Sequence, residues 1–378
     1  MTTTPRWDGS AVLSWLPAVV MVVVAVVDLT AGPGVGFLPL VSLGPAFAGL
    51  IGTWRRTAFI GAVALLLCFG LGLYDGLFDG RRGYTAMASV GGVTAAGVVA
   101  AVMRQRREAE LASVRSIAEA AQRVLLRPVP RRAGPLRVAV SYTSAVAEAR
   151  IGGDLYEVVV TTRGVRVLIG DVQGKGLAAV ETAAVVLGAF REAAHEEPDL
   201  VKLVARLERS VARELQGEKF VTALLAEVRP EEETVVMVNC GHPAPMLISR
   251  DGAIEFPEPP SYAPPLGLGL GLGLGIHDGE PPQSHRVGFS PGEQLLLYTD
   301  GVTEARDGGG HFYPLKDRAS LLRHDDAQVA LEELRGDVVR HVAGPLHDDA
   351  AMLLLRYHRD EMPAGVEGSA DSMERDHG

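Results

Sequence analysis

Cysteine is almost missing from this chain: its 378 residues include only Cys68 and Cys240. One lies in an apolar stretch and the other in a mixed region, so neither a disulfide framework nor a cysteine-built zinc site can be assembled. A surplus of positive charge is missing too. Asp and Glu outnumber Lys and Arg by 46 to 36, a net charge of −10. This excludes a general nucleic-acid binder, which needs clustered basic side chains. Charge of either sign is scarce in the first hundred residues and concentrated after them. The carboxylate-rich remainder suits hard cations such as Mg²⁺ or Mn²⁺ better than zinc.

Apolar runs fill the space that charge leaves. Hydrophobic residues make up 47% of the chain, and four apolar runs cover Val12–Leu29, Val35–Gly52, Ala58–Tyr74 and Tyr84–Met103. Each approaches the ~20 residues that a helix needs to cross a bilayer. Four in succession, with no isolated cleavage site, argue against a signal peptide. Only Asp28, near one end, places a charge inside a run, so the pattern of a transport path is absent. Arg55 and Arg56 follow the second run, Arg104, Arg106 and Arg107 follow the fourth, and the loop after the first has no basic residue. Counting Lys and Arg predicts four spans with both termini cytoplasmic; Arg81 and Arg82 after the third run oppose this mildly. Residues 1–103 are therefore expected to be an all-α transmembrane region, multi-pass in the cell membrane, with the remainder in the cytoplasm.

A charged connector follows at 104–131. Leu111, Val114, Ile117 and Ala121 recur at helical spacing between Arg104 and Leu126, and Arg127-Pro128-Val129-Pro130 ends the pattern. Two readings stay open: a solvated stalk, or one helix of a parallel homodimer.

From 132 to 358 short β-like runs alternate with two helical patterns. Strands are expected at Leu136–Tyr142, Leu155–Thr161, Val165–Ile169, Phe220–Val228, Thr234–Asn239, Pro245–Ile248, Gln294–Tyr298 and Ala351–Tyr357, and helices at Gly176–His195 and Leu200–Leu215. Strands, a helix pair and more strands predict a layered α+β domain. Residues 251–285 hold a proline-rich stretch and a Leu-Gly alternation, read as a loop of variable length or a substrate flap. The polar tail 359–378 is expected to be disordered.

Four acidic motifs punctuate these strands. They are Gly152-Gly153-Asp154, Gly170-Asp171-Val172-Gln173-Gly174-Lys175-Gly176, Thr299-Asp300-Gly301 and His347-Asp348-Asp349. Each is weak alone, since an Asp-Gly pair is usually a turn. The second lacks the spacing of a nucleotide phosphate loop. Together they place an aspartate at four strand ends. Carboxylates gathered there repel one another unless cations stand among them, and two Mg²⁺ or Mn²⁺ ions are the economical expectation. Cys240 precedes Gly241-His242, but no Cys and Arg separated by five residues follow the tyrosine-phosphatase pattern. His242 is read as structural or as lining a substrate groove. Lys175 is read as a phosphate contact or a turn cap.

In this order the motifs GGDLYE, GDVQGKG, NCGHPAPML, YTDGVTEA and HDDAAMLLL, with the intervening Phe220-Val221-Thr222-Ala223, resemble the SpoIIE class of bacterial PPM-type serine/threonine phosphatases. The resemblance covers about 135–358 and part of the connector. It implies an αββα fold, a β-sandwich flanked by helices with metals at one end. It makes Asp154, Asp171, Asp300 and Asp348 both the catalytic set and the metal ligands, with a further ligand in the carbonyl of Val172, where other branches have glycine. It also implies a phosphorylated regulatory protein as partner, such as an anti-sigma-factor antagonist of STAS type. One departure stands out: the family usually ends its first motif in Asp, and this chain has Glu157. That carboxylate reaches one carbon further and either points away from the metals or touches their water shell. Two rival functions are weighed. In one, the domain is a non-catalytic receptor or scaffold. In the other, GGDLYE belongs to a GGDEF-like cyclase; Leu155 stands where that motif needs an acid.

Overall fold

The computed structural model describes residues 9–31, 37–143, 152–215, 219–268, 282–342, 344, 346 and 348–358. The chain divides after Ser113 into two compact units.

The first unit is helical: α1 (Gly9–Ala31), α2 (Leu43–Ile51), α3 (Trp54–Tyr74) and the first part of α4 (Arg81–Leu125). α3 and the Arg81–Val114 stretch of α4 are long and apolar enough to cross a membrane; Trp15–Thr30 and Leu38–Ile51 are apolar but shorter. The second predicted run is thus not one spanning helix. It is a 3₁₀ turn at Leu38–Ser42 followed by the nine-residue α2. Pro39 and Pro45 interrupt it, because proline lacks the N–H that a continuous helix must donate. Thr53 starts α3 by accepting the amide of Arg56 on its hydroxyl at 3.4 Å, an ordinary N-cap. Small residues let the helices meet closely: a Cβ on Gly49 would lie 2.9 Å from Gly97 Cα, and one on Gly61 would strike Thr94. The fourth run and the connector form one helix of 45 residues, since nothing between Met103 and Arg104 breaks the pattern.

The second unit holds two antiparallel sheets. One runs β1 (Arg132–Ala133), β2 (Leu136–Thr143), β11 (Ala350–Tyr357), β10 (Gln294–Tyr298), β7 (Met246–Ile248), β8 (Ile254–Glu255). The other runs β3 (Asp154–Thr161), β4 (Gly164–Val172), β5 (Val221–Arg229), β6 (Thr234–Cys240), β9 (His285–Gly288). Every expected strand is present within a residue or two, except that β4 runs three residues past its expected end, to Val172. The edge strands β1, β8 and β9 were not expected, being too short to show a period.

Alternation explains why so many strand residues are buried. Tyr156, Val158, Val167 and Leu224 face the other sheet, where they join Leu295, Leu297, Leu353 and Leu355. Leu155, Val159, Leu168 and Leu225 face outward under α5 (Leu177–Glu196) and α6 (Leu200–Leu215). With apolar residues on both faces, each sheet needs a helical cover. The first sheet is covered by a 3₁₀ segment at Leu315–Arg323 and by α8 (Ala327–Val342). The sequence reading missed α8, although Ala330, Leu331, Leu334 and Val338 mark one face and Asp326 accepts the amides of Gln328 and Val329 at 2.8 and 3.1 Å. Each fully buried leucine in these layers contributes roughly 1.5–3 kcal/mol.

One ion pair sits inside this apolar packing. Arg166 of β4 donates to Glu227 of β5 at 2.6 Å and to the carbonyls of Ala194 and Pro198 at 2.9 and 3.2 Å. It fastens the α5–α6 corner to the sheet, and its charge is matched because burial leaves no water to solvate it. The Leu-Gly alternation falls largely, and the tail 359–378 entirely, outside the described residues.

Candidate active site

Strand register brings the acidic motifs to one end of the two sheets. Asp154 opens β3 directly opposite Asp171 near the end of β4, and Asp171 in turn faces Thr222 of β5. In the other sheet Asp300 lies two residues past the end of β10, after Thr299, while Asp348 and Asp349 precede β11 beside it. Asp300 is the first residue of the short helix α7 (Asp300–Thr303).

Two of the contacts at this end, Thr299 to Asp154 and Lys175 to Asp348, cross between the sheets. Thr299 donates its hydroxyl to Asp154 Oδ2 at 2.8 Å and accepts the amide of Ala351 at 2.9 Å. Lys175 Nζ lies 2.6 Å from Asp348 Oδ1, which also accepts the amide of Asp349 at 2.9 Å. Lys175 therefore pairs with a predicted site residue, a role neither sequence reading named. Asp154 and Asp349 are buried and Asp348 is exposed. Tyr142 and Gly152 both receive a hydrogen bond from Gln122 Nε2, at 2.9 and 3.3 Å.

Glycine is required where the backbone turns or closes in. Gly174 and Gly176 hold φ of +97° and +88°, a region other residues seldom adopt, and the second leads into α5. A Cβ on Gly301 would lie 1.8 Å from the carbonyl oxygen of Asp349, and one on Gly153 would lie 2.8 Å from Asp171 Oδ1.

The electrostatics are those of carboxylates gathered without enough counter-charge. Burial, and then the charge of Asp171, hold the Asp154 carboxyl well above the usual range, against the bond from Thr299. Burial, followed by Asp300 and Asp348, pushes Asp171 up to about 7. Asp300 is raised by burial, Glu304 and Asp348. Burial and nearby carboxylates likewise raise the Tyr142 hydroxyl. Among the described residues, however, no three His, Cys, Asp or Glu side chains are drawn tightly enough to ligate one ion as they stand. The four predicted aspartates share one end and one field without closing on a single point. In chemistry the donor set fits hard divalent cations: its carboxylates are oxygen donors, and the raised pKa values of Asp154, Asp171 and Asp300 report negative charge that a cation would stabilise.

Other predicted residues fall as follows. Val172 buries its side chain under α5, and its carbonyl oxygen would sit 2.5 Å from a Cβ on Gly153, so it faces the first motif. Glu157 lies on the opposite face of β3 from Asp154, as an odd offset along a strand dictates. It accepts from Arg191 of α5 at 2.7 Å, and Arg191 also donates to the Leu125 carbonyl at 2.7 Å. The first of the two readings of Glu157 therefore holds.

Cys240 is buried, and burial pushes its thiol up to about 12, far from a nucleophilic thiolate. His242 is buried with its Nδ1 3.2 Å from Thr222 Oγ1; its backbone N–H and carbonyl bond to the Asn239 side chain at 2.7 and 2.8 Å. Burial lowers its pKa to about 3. At neutral pH it is therefore an uncharged imidazole, held in place by Asn239 and Thr222.

Sequence reasoning missed Thr299, Tyr142 and Gln122, and left Asp349 as a lesser neighbour. Thr299 lay within a quoted motif, and its small hydroxyl beside a strand-end aspartate was the available signal.

A model of the family described as Stage II sporulation protein E (SpoIIE) matches residues 161–358, just over half of the chain. The phosphoserine phosphatase RsbU of Bacillus subtilis (strain 168) is 24% identical over 216 residues, which are 56% of this chain and 61% of RsbU. The chain thus spans less than two thirds of that relative's length. Among solved structures, the SiaA-PP2C domain of Pseudomonas aeruginosa aligns with a TM-score of 0.54 at 16% identity, covering 66% of this chain and 98% of that one. The RsbU and RsbW domains of a Mycobacterium tuberculosis protein align at 0.48 and 21% identity, covering 59% and 60%. The first of these two likenesses agrees with the two-layered sandwich described above.

Proposed function

This chain belongs to the SpoIIE family, and from that premise we propose that it is a metal-dependent phosphatase acting on phosphoserine or phosphothreonine of a regulatory protein in partner-switching signalling. RsbU, a phosphoserine phosphatase, supports the activity and the substrate class. The observation that carries the reading is the gathering of Asp154, Asp171, Asp300, Asp348 and Asp349 at one sandwich end, with the carboxyls of the first three raised by burial and by neighbouring carboxylates. A scaffold that only binds a partner has no need of such a cluster, whose repulsion costs stability.

Asp154, Asp171, Asp300 and Asp348, with the Val172 carbonyl, would hold Mn²⁺ or Mg²⁺, two ions on the economical reading. Such ions supply a water of lowered pKa and stabilise negative charge on a phosphoryl group. The chain's own residues do the positioning. Thr299 fixes the rotamer of Asp154 from the opposite sheet. Lys175 holds Asp348 and brings a positive charge to the rim, where a phosphate dianion would approach. Gly153 and Gly301 let the backbones of the two sheets close on the aspartates.

The membrane placement is part of the proposal. α3 and the first part of α4 are its support, with a cytoplasmic catalytic unit, the orientation that Arg55, Arg56, Arg104, Arg106 and Arg107 favour over Arg81 and Arg82. The connector part of α4 would join a homodimer. Phosphate release from a phosphoserine protein by the full-length protein in detergent tests the enzyme reading. Release should need Mn²⁺ and be lost in Asp171→Asn and Asp300→Asn; equal release by these variants would sink it.

A further inference from the structure

A cleft of about 490 Å³ opens at one end of the first unit, between the C-terminus of α2, the start of α3 and the middle of α4. Its polar wall is Gly52, Thr53, Arg56, Arg104, Gln105 and Glu108. Arg104 donates to the carbonyls of Gly49 (3.1 Å), Leu50 and Gly52 and lies 3.5 Å from Glu108. It therefore closes the C-terminus of α2 and fixes α4 at this level. That geometry brings Arg55 and Arg56 of α3 to the same end as Arg104, Arg106 and Arg107 of α4. The facing end of the helices has Asp75 and Asp79 beside Arg81 and Arg82.

The edge of the cleft is apolar and exposed. Leu50, 72% exposed, and Ile51 line it, and Trp54 and Met103, the sequence neighbours of the lining residues Thr53 and Arg104, are exposed as well. Trp54 carries Arg55 5.5 Å above its ring, the pairing of an interfacial anchor. A polar cleft with two guanidinium groups and one carboxylate, bordered by exposed leucine, isoleucine and tryptophan, matches an amphiphile with an anionic head. A free phosphate would use the floor and leave the apolar border in water.

We propose that this cleft binds the headgroup of an anionic glycerophospholipid, with Arg56 on its phosphate and the acyl chains along Leu50, Ile51 and Trp54. The inference rests on the membrane placement proposed above. Arg104 serves as the structural wall, because its donors are directed to carbonyls and Glu108. Basic clefts between spanning helices on the cytoplasmic side are sites where lipid headgroups bind.

The test reconstitutes the full chain into lipid discs of phosphatidylcholine mixed with phosphatidylglycerol and counts, by native mass spectrometry, the lipids retained after release. The wild type should retain phosphatidylglycerol in preference. Arg56→Gln should lower that preference about fivefold, and Arg56→Lys should restore much of it. The Arg106→Gln, Arg107→Gln double variant, altered outside the cleft, should change it little. Equal retention of both lipids by an inserted wild-type protein overturns the site. So does an equal loss in the double variant, which would mean diffuse surface charge, or displacement of the lipid by inorganic phosphate, which would mean a site for free anions. A chain that does not insert into discs at all overturns the membrane placement itself, a result distinct from the others.

Discussion

Thr299 and Asp154 stand 145 residues apart in sequence, yet the hydroxyl of one donates to the carboxylate of the other at 2.8 Å with both side chains buried. The bond joins the two sheets at the end where the acidic motifs collect. Thr299→Val keeps the shape and removes the donor, leaving a buried carboxylate oxygen and the Ala351 amide without this partner. We expect a loss of about 1–3 kcal/mol in urea unfolding and weaker Mn²⁺ binding by calorimetry. Thr299→Ser should retain most of both.

Gly301 has no room for a side chain, since a Cβ there would meet the Asp349 carbonyl at 1.8 Å. Gly301→Ala must push α7 away from Asp348 and Asp349, which lead into β11. A displacement of this order at a catalytic geometry costs about 100-fold in rate. Phosphate release should fall by that order while circular dichroism shows the fold retained; wild-type rates in the variant would refute the close approach.

His242 couples stability to acid. Its pKa is lowered from the ordinary 6.5 to about 3 by burial, so the unfolded chain binds its proton more readily than the folded one. Between these values the unfolded state carries the extra proton, and stability rises with pH. The contribution is complete above about pH 6.5, declines as pH falls toward 3 and is flat below. His242→Asn should remove this part of the slope between pH 7 and 5 in urea unfolding, whatever it does to stability at pH 7.

Glu157 faces α5, so its effects should separate from those of the aspartates. Glu157→Asp draws the carboxylate back from Arg191, which also holds the last carbonyl of α4. A loss of about 1–3 kcal/mol in unfolding is expected, with Mn²⁺ affinity unchanged. A shift in metal affinity larger than the shift in stability would place Glu157 in the site after all.

The strands and the first two helices of the second unit were legible because burial imposes a local period. Leu155, Val159 and Leu168 alternate with Tyr156, Val158 and Val167, and that alternation is written in adjacent residues. The break in the second apolar run was less legible: hydropathy counts Pro39 and Pro45 as neutral, whereas the helix needs their missing donors. α8 showed a usable period that went unread among charged neighbours.

By itself the sequence determined which residues are acidic strand ends, which runs are apolar and which glycines flank the turns, since these depend on neighbours along the chain. Only the tertiary structure decided that Asp154 takes its hydrogen bond from Thr299, that Lys175 stands on Asp348 and that Glu157 turns to Arg191. Those partners come from other strands and helices, brought within reach by sheet register and sandwich packing. A carboxylate's acidity follows from how deeply it is buried and which charges face it, and neither is a property of its neighbours in sequence.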